Sequence, residues 1–351
     1  MALLRYLARE AVFLLIALVA VTYLIVTITN LGGDLDVYLT AQIRFTVEEE
    51  LNEDEEFLSL PPEEQARLIE EEVQRRIEMR GLNLHPLPKS FIQAFQALTF
   101  SLGEAFTLTS SHGSTNIVDI VLERLPATLL LFTTAMLIAA FAGIWLGLLM
   151  AKRSRWRTER EWPLLSISLL VVPSWMLAIF LGYALSYGLR IFPPGGMLSV
   201  PAPTDPLLYA WDLMRHLALP MLVLALSSIG FWMFITRNIV LKRAHEARLR
   251  AARAKDPIDR RALLKEGRRA AYPSIIDYAA LPLIAAWGGS IITELVFNWP
   301  GIGTLIWSSV WVFDPFVLIA LTVTYTMLFV LTMFALKLAR GVLDARFPRS
   351  E

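Results

Sequence analysis

Apolar runs long enough to cross a bilayer constrain this chain more than any other feature it carries. A hydrocarbon core of about 30 Å takes roughly twenty helical residues. Runs of that order occupy Ala11–Thr29, Leu125–Met150, Leu164–Leu189, Leu217–Ile239, Ile275–Phe297 and Phe316–Leu338. A length of 351 residues could hold two or three soluble domains, but 56% hydrophobic residues gathered into such runs argue against that. The expectation is an all-α integral membrane protein with six transmembrane helices. Arg5 and Arg9 precede the first run. A cleaved signal peptide would have a shorter apolar core, and no small-x-small site closes the run, so a retained span is expected.

Charge then orients the spans. Thirty-two Lys and Arg balance thirty-two Asp and Glu overall, yet residues 31–123 carry 18 acids against 6 bases and Arg237–Pro273 carries 12 bases against 4 acids. The N-terminus, the loop Lys152–Arg160, the Arg237 loop and the tail after Lys337 are all cationic. The positive-inside rule places these four in the cytosol, with both termini inside and residues 31–123, 190–216 and 298–315 outside. The chain therefore reads as an N-terminal transmembrane helix (1–30), an acidic extracytoplasmic loop domain (31–123), and a core membrane domain (124–351) that contains the cytosolic loop 237–273.

In the external segment, Pro61-Pro62 is followed by EEQARLIEEEVQRRIEMRG. Leu68, Ile69, Val73 and Ile77 recur at helical spacing, acids load the first turn, and Gly81 is placed to end it. These features predict a helical extracytoplasmic insertion between the first two spans. For residues 48–60 a solvated spacer without fixed structure is the alternative.

The stretch RNIVLKRAHEARLRAARAKDPIDRRALLKEGRRAAYP lies between two apolar runs and has a pattern of its own. Alanines 244, 247, 251, 252 and 254 stand among long cationic side chains, a good helix former with a small-residue face. Asp256-Pro257 then punctuates it: Pro257 suits the first position of a new helix, Asp256 its N-cap, and Asp259 completes a capping-box arrangement. A second helix is expected from about Pro257 to Ala271. Such a loop can dock in a groove of a cytosolic partner. It can also simply obey the positive-inside rule, or hold anionic lipid.

The spans themselves are chemically plain. Pro173, Pro220 and Pro282 are candidate kinks. Gly143 with Gly147, and Gly288-Gly289-Ser290, are small-residue patches at which helices can approach closely. An intramembrane enzyme would need ionisable groups at depth, each costing about 2.5–3.5 kcal/mol to insert, and few are present. Asp277 and Glu294 lie toward opposite ends of the fifth run, where either could reach an interface. Glu294 is the better candidate for a role because Trp299, Pro300 and Gly301 follow as a turn with an interfacial Trp. The absence of cysteine excludes disulfides and thiol catalysis, and the four histidines have no helical metal-site spacing. No G-x-x-x-x-G-K-[ST] phosphate loop occurs, so any nucleotide bound by that route belongs to another chain.

RAARAKDPIDRRALLKEGRRAAYP resembles the EAA loop of permease subunits of binding-protein-dependent ABC importers, in the dipeptide, oligopeptide and nickel branch. LLRYLAREAVFLLIALVAV, LPKSFIQAFQALTFSLGEAF, VLERLPATLLL, TELVFNWPGIGTL and LARGVLDARFP are similar to further stretches of that branch, in the same order. The resemblance implies a Type I ABC importer permease fold in the inner membrane of a prokaryote. It also implies a second homologous permease subunit, two ATP-binding subunits seated on the loop, an extracytoplasmic substrate-binding protein, and a lipid rather than nucleic-acid environment. This chain would bind no cofactor itself, ATP-Mg being held by partner subunits, and would be a non-catalytic transport subunit. Glu246, Ala251, Ala252, Arg253, Ala254, Lys255 and Asp256 fall in the coupling stretch. Glu294, Trp299, Pro300 and Gly301 are candidates for an external turn or gate. Asp256 stands where the family usually has Gly, and residues 44–80 are longer and more acidic than the family's pattern. Cargo would be di- or oligopeptides, with nickel chelates or oligosaccharides as alternatives. A membrane-embedded enzyme or a lipid-binding structural protein is the reading from another class.

Overall fold

The computed structural model describes residues 2–31, 35–79, 81–152, 158–253, 260–278, 283 and 291–343. Among them the regular structure is helical, and the extended pairing is an isolated antiparallel bridge between Glu104 and Asn116. The helices are α1 (Ala2–Leu31), α2 (Leu35–Asn52), α3 (Glu55–Leu58), α4 (Pro62–Met79), α5 (Pro86–Leu98), α6 (Ile117–Lys152), α7 (Thr158–Val171), α8 (Ser174–Leu181), α9 (Pro206–Arg253), α10 (Arg260–Tyr278), α11 (Ile302–Trp311) and α12 (Pro315–Leu343). The chain divides into two units, one of residues 13–121 with 309–328, the other of residues 1–12, 122–308 and 329–351.

In the first unit α1 exposes Phe13, Ile16, Leu24 and Ile28 and buries a narrow stripe, Leu18, Thr22, Val26 and Asn30, at four-residue spacing. A helix apolar on its exposed side has its solvent in lipid. α5 runs back along α1: the Asn30 amide donates to Ser90 Oγ at 3.0 Å and to Gln93 Oε1 at 2.8 Å, while Ala94 and Ala97 pack against Val26, Ile319 and Val323. It thus lies beside the apolar run of α1 rather than beyond its end.

The acidic insertion is a pair of helices clamped by arginines. Leu39, Ile43 and Val47 bury one face of α2, and Val73 is buried on α4. Arg76 reaches Glu50 at 2.6 Å and Glu72 at 2.9 Å, and Arg44 reaches Glu70 at 2.5 Å. Burial pushes the Glu72 carboxyl up, but hydrogen bonds from Arg75 and Arg76 outweigh it and hold the group below its ordinary range. Residues 48–60 are not a structureless spacer: α2 continues to Asn52 and α3 comes directly after it, because the apolar face of α2 gives them something to build on. Gly81, at φ +63°, ends the acidic stretch: its N–H donates to Glu78 O and that of Leu82 to Ile77 O, both at 3.0 Å, a Schellman closure.

Residues 104–116 form a loop anchored by Asp314. This buried carboxylate accepts from Phe106 N (2.8 Å) and Thr107 N (3.1 Å) through Oδ2, and stands immediately before Pro315 at the start of α12.

The second unit is built on α9, whose 48 residues span roughly 70 Å at 1.5 Å per residue, more than twice a hydrocarbon core. Its apolar section, Leu217–Ile239, packs against α6 and α7 through glycines. A Cβ on Gly147 would fall 2.7 Å from Thr236 Cβ, and Gly143 meets Trp232 in the same way. Gly230 fits against the α7 backbone, where a Cβ would come within 2.9 Å of Leu169 Cβ. Close helix packing is what these positions do.

Among the described residues, four helices are long and apolar enough to cross a membrane, Leu4–Leu31, Ile117–Lys152, Pro206–Ala251 and Pro315–Gly341, and a fifth crossing arises if Glu161–Val171 and Ser174–Gly188 count as one span. That pair is bent by 89° at Val172-Pro173. Pro173 therefore breaks the third run outright, ending α7 and preceding α8, which continues as a π-helix over Gly182–Gly188. Pro220 lies within α9 without interrupting it. Pro282 and Gly288-Gly289-Ser290 fall outside the described residues, as does most of the expected fifth run. Of that run, residues 275–278 close α10 and residues 291–296 are helical.

Candidate functional site

Two places carry the residues singled out in the sequence. The first is the hairpin made by the C-terminal part of α9 with α10. α9 leaves its apolar section near Ile239 and continues without a break to Arg253, because alanines and long unbranched cations keep helix propensity high where packing no longer decides. α10 returns from Arg260 to Tyr278 and runs through Pro273, a turn or more beyond the expected end at Ala271. Gly267 sets the separation of the two helices: a Cβ there would lie 2.8 Å from Ala244 N and 2.9 Å from Val240 O. Along the same face of α9, Ala247 and Ala251 are buried, as are Ala271 and Ile275 on α10. The small-residue face is thus closed within the chain itself. Polar contacts edge the seam, with Arg250 on Glu266 at 2.7 Å, Arg243 on Ser274 at 3.1 Å, and Arg243 on Glu246 at 3.0 Å.

Of the expected coupling residues, Glu246 is half-buried beside Arg243 and Ala251 is buried. Ala252 and Arg253 complete α9, while Ala254, Lys255 and Asp256 lie outside the described residues, as do Pro257 and Asp259.

The second place is the turn Phe297–Gly301 with the start of α11. Glu294 does not reach an interface. It is fully buried, and so is Trp299, whose indole Nε1 donates to Ala127 O at 2.9 Å instead of lying in an interfacial belt. The reason is geometric. Asn298 takes φ +47°, and Gly301 N donates back to Trp299 O at 2.7 Å across Pro300. This tight reversal brings the N-terminus of α11 onto the Glu294 carboxylate. Oε1 accepts the Thr128 hydroxyl at 2.8 Å, Oε2 accepts Gly303 N at 2.6 Å, and Thr128 Oγ1 in turn accepts Ile302 N at 2.7 Å. A carboxylate at a helix N-terminus satisfies orphan N–H groups and complements the macrodipole, so Glu294 caps α11 from eight residues upstream. Both glycines are required by this approach: a Cβ on Gly301 would run into Glu294 Oε2 and Thr128 Oγ1, and one on Gly303 would lie 2.6 Å from Ile291 Cα. The loop before α9 docks on the same turn, with Gly196 N donating to Phe297 O at 2.8 Å.

Asp277 pairs with Arg340 at 2.7 Å. Among the described residues no group of three or more His, Asp or Glu could hold a metal ion. Sequence reasoning missed Thr128, which nothing in its own neighbourhood marks as a partner of Glu294. It also missed Asp314, although Asp314-Pro315 carries the Asp-Pro signature of a helix start read at 256–257.

Long apolar helices, a hairpin of basic helices continuing from one of them, and buried carboxylates that cap a helix and anchor a loop define a multi-pass helical membrane protein. Residues 143–349 match the family described as binding-protein-dependent transport system inner membrane component, and the chain belongs to that family. It is a transmembrane permease. It is 29% identical over 270 residues to the oligopeptide transport system permease protein AppB of Bacillus subtilis, covering 77% of this chain and 83% of that one. The dipeptide transport system permease protein DppB of the same organism is 25% identical over 287 residues, 81% and 87% of the two chains. A putative peptide permease of Brucella ovis is 29% identical over 262 residues, 74% and 80%.

Proposed function

We propose that this permease forms half of the pathway of an ATP-driven peptide importer. Six spans would cross the membrane: the four continuous apolar helices, the bent pair as the third, and residues 275–297 as the fifth. Both termini and the α9–α10 hairpin would face the cytosol and the acidic α2–α4 pair the outside. A related permease subunit would supply the other half of the pathway, two ATPase subunits would seat the hairpin, and an external binding protein would deliver cargo. Relatives named for oligopeptide and dipeptide transport support peptides as that cargo.

The observation that carries this reading is the family match over residues 143–349, which contains the whole hairpin. The closed small-residue seam bears on how this contact would form, since an ATPase would meet residues beyond Ala251 rather than the alanine face sealed by α10. ATP binding can drive transport only by favouring one pathway orientation over another, and a stiff helix continuous from apolar span to hairpin tip can transmit that preference. The test is Ala252→Glu, which puts bulk and an unpaired charge at the proposed contact, where overpacking alone costs about 1–3 kcal/mol. At matched membrane levels, uptake of a labelled dipeptide should fall and the ATPase subunits should dissociate or hydrolyse ATP without transport. Wild-type uptake with intact co-purification would overturn the coupling assignment.

A further inference from the structure

We propose that the groove between α6, α9 and α10 binds an anionic phospholipid, an acyl chain lying against Trp145, Leu148 and Leu149 and the phosphate held by Lys152, Lys265 and Arg268. The groove has a volume of about 690 Å³ and is floored by Ala151 and Val240, both buried. Its two ends differ in chemistry. The apolar end belongs to the membrane run of α6, with Trp145 55% exposed. The cationic end is made by Lys152, the last residue of α6, and by Lys265 and Arg268, neighbours on one side of α10.

None of these three cations pairs with a carboxylate among the described residues, and they are set apart from the equally unpaired Lys242, Arg248 and Arg269 by lining the groove, while other basic residues of the same unit are neutralised. Arg243 is on Glu246, Arg250 on Glu266, Lys337 on Glu10 and Arg340 on Asp277. Seven residues separate Trp145 from Lys152, roughly 10 Å of helix. An occupant must therefore be apolar over that length and anionic at its end, which describes a phospholipid of negative charge. A basic pocket between helices at a membrane surface is an established means of holding such headgroups. An acidic protein segment would satisfy the cations but leave the apolar end uncovered. Bound there, the lipid would bridge a membrane span and the returning helix of the hairpin, placing the hairpin's seating under the control of membrane composition. In the orientation proposed above the groove faces the cytosolic leaflet, while its lipid preference does not depend on that orientation.

The experiment uses the full chain purified with its co-expressed partner subunits and reconstituted in phosphatidylcholine vesicles. Brominated phosphatidylglycerol or brominated phosphatidylcholine is added as quencher, and the Trp145 signal is isolated as the difference between wild type and Trp145→Phe. Phosphatidylglycerol should quench that signal at lower mole fraction than phosphatidylcholine. Lys265→Gln with Arg268→Gln should reduce the preference about five-fold per cation removed while leaving quenching by phosphatidylcholine intact, which also shows that the variant is folded; Lys152→Gln provides an independent single-charge variant. Equal quenching by the two lipids, a preference unchanged in the charge variants, or no quenching by either because a protein chain covers the groove would each overturn the proposal. Both lipids populate both leaflets, so an inverted topology would leave this result unchanged and is read separately by thiol labelling.

Discussion

At the scale of single residues, the decisive group is the buried carboxylate of Glu294. Four partners converge on it or on its hydroxyl relay, the Thr128 hydroxyl, Gly303 N and the longer Thr304 N (3.4 Å) on the carboxylate and Ile302 N on the hydroxyl, and each stranded buried donor costs about 1–3 kcal/mol. Glu294→Ala should therefore lower the apparent unfolding temperature of the detergent-solubilised protein far more than Glu294→Gln, which keeps an acceptor for Gly303 N. Gly301→Ala should destabilise as well, although alanine is normally the easier residue to order, because its methyl would displace the carboxylate and the Thr128 hydroxyl. Equal unfolding temperatures for Glu294→Ala and Glu294→Gln, or a Gly301→Ala variant as stable as the wild type, would remove the capping role. The spacing of Glu294, Trp299, Pro300 and Gly301 was legible as a unit. Its meaning was not, because the partner that completes it, Thr128, is 166 positions away.

At the scale of elements, the α9–α10 hairpin shows how sequence and packing divide the work. Alanine content predicted the helix, and the buried seam assigns the alanine face to α10. Two effects oppose each other at Gly267. Replacing a helical Gly by Ala gains up to about 1 kcal/mol in propensity, but the added carbon would meet backbone atoms of Ala244 and Val240 that cannot rotate away. Overpacking of about 1–3 kcal/mol should win. Gly267→Ala should thus be destabilising and Gly267→Val more so, with ATP hydrolysis losing its dependence on cargo. Arg269→Ala, an exposed change on the same helix, should stay within about 0.5 kcal/mol. A stabilised Gly267→Ala would mean that the two helices separate freely. The 89° break at Pro173 illustrates the complementary case: the proline was visible, but whether it kinks or ends a helix depended on whether α8 keeps the axis of α7 or leaves it.

At the scale of the whole molecule, the orientation of charge makes the clearest prediction. The chain has no cysteine, so single cysteines report cleanly. In intact cells an impermeant thiol reagent should label Ser59→Cys, next to the acidic helices, and should label Thr158→Cys, in the cationic stretch after α6, only after permeabilisation. The reverse pattern would invert the topology.

Sequence alone determined that the chain is helical and lives in a membrane, where its long apolar runs lie, and that a basic two-helix segment separates two of them. These come from local composition and period, which act over one or two turns of helix. Tertiary structure decided that α5 lies alongside α1, that Trp299 and Glu294 are core rather than interface, that Asp314 anchors a loop 207 residues before it, and that the alanine face is sealed by Gly267. Each of those depends on which distant backbone approaches closely enough to leave no room for a Cβ or to present an unpaired N–H, and no run of neighbouring residues encodes that distance.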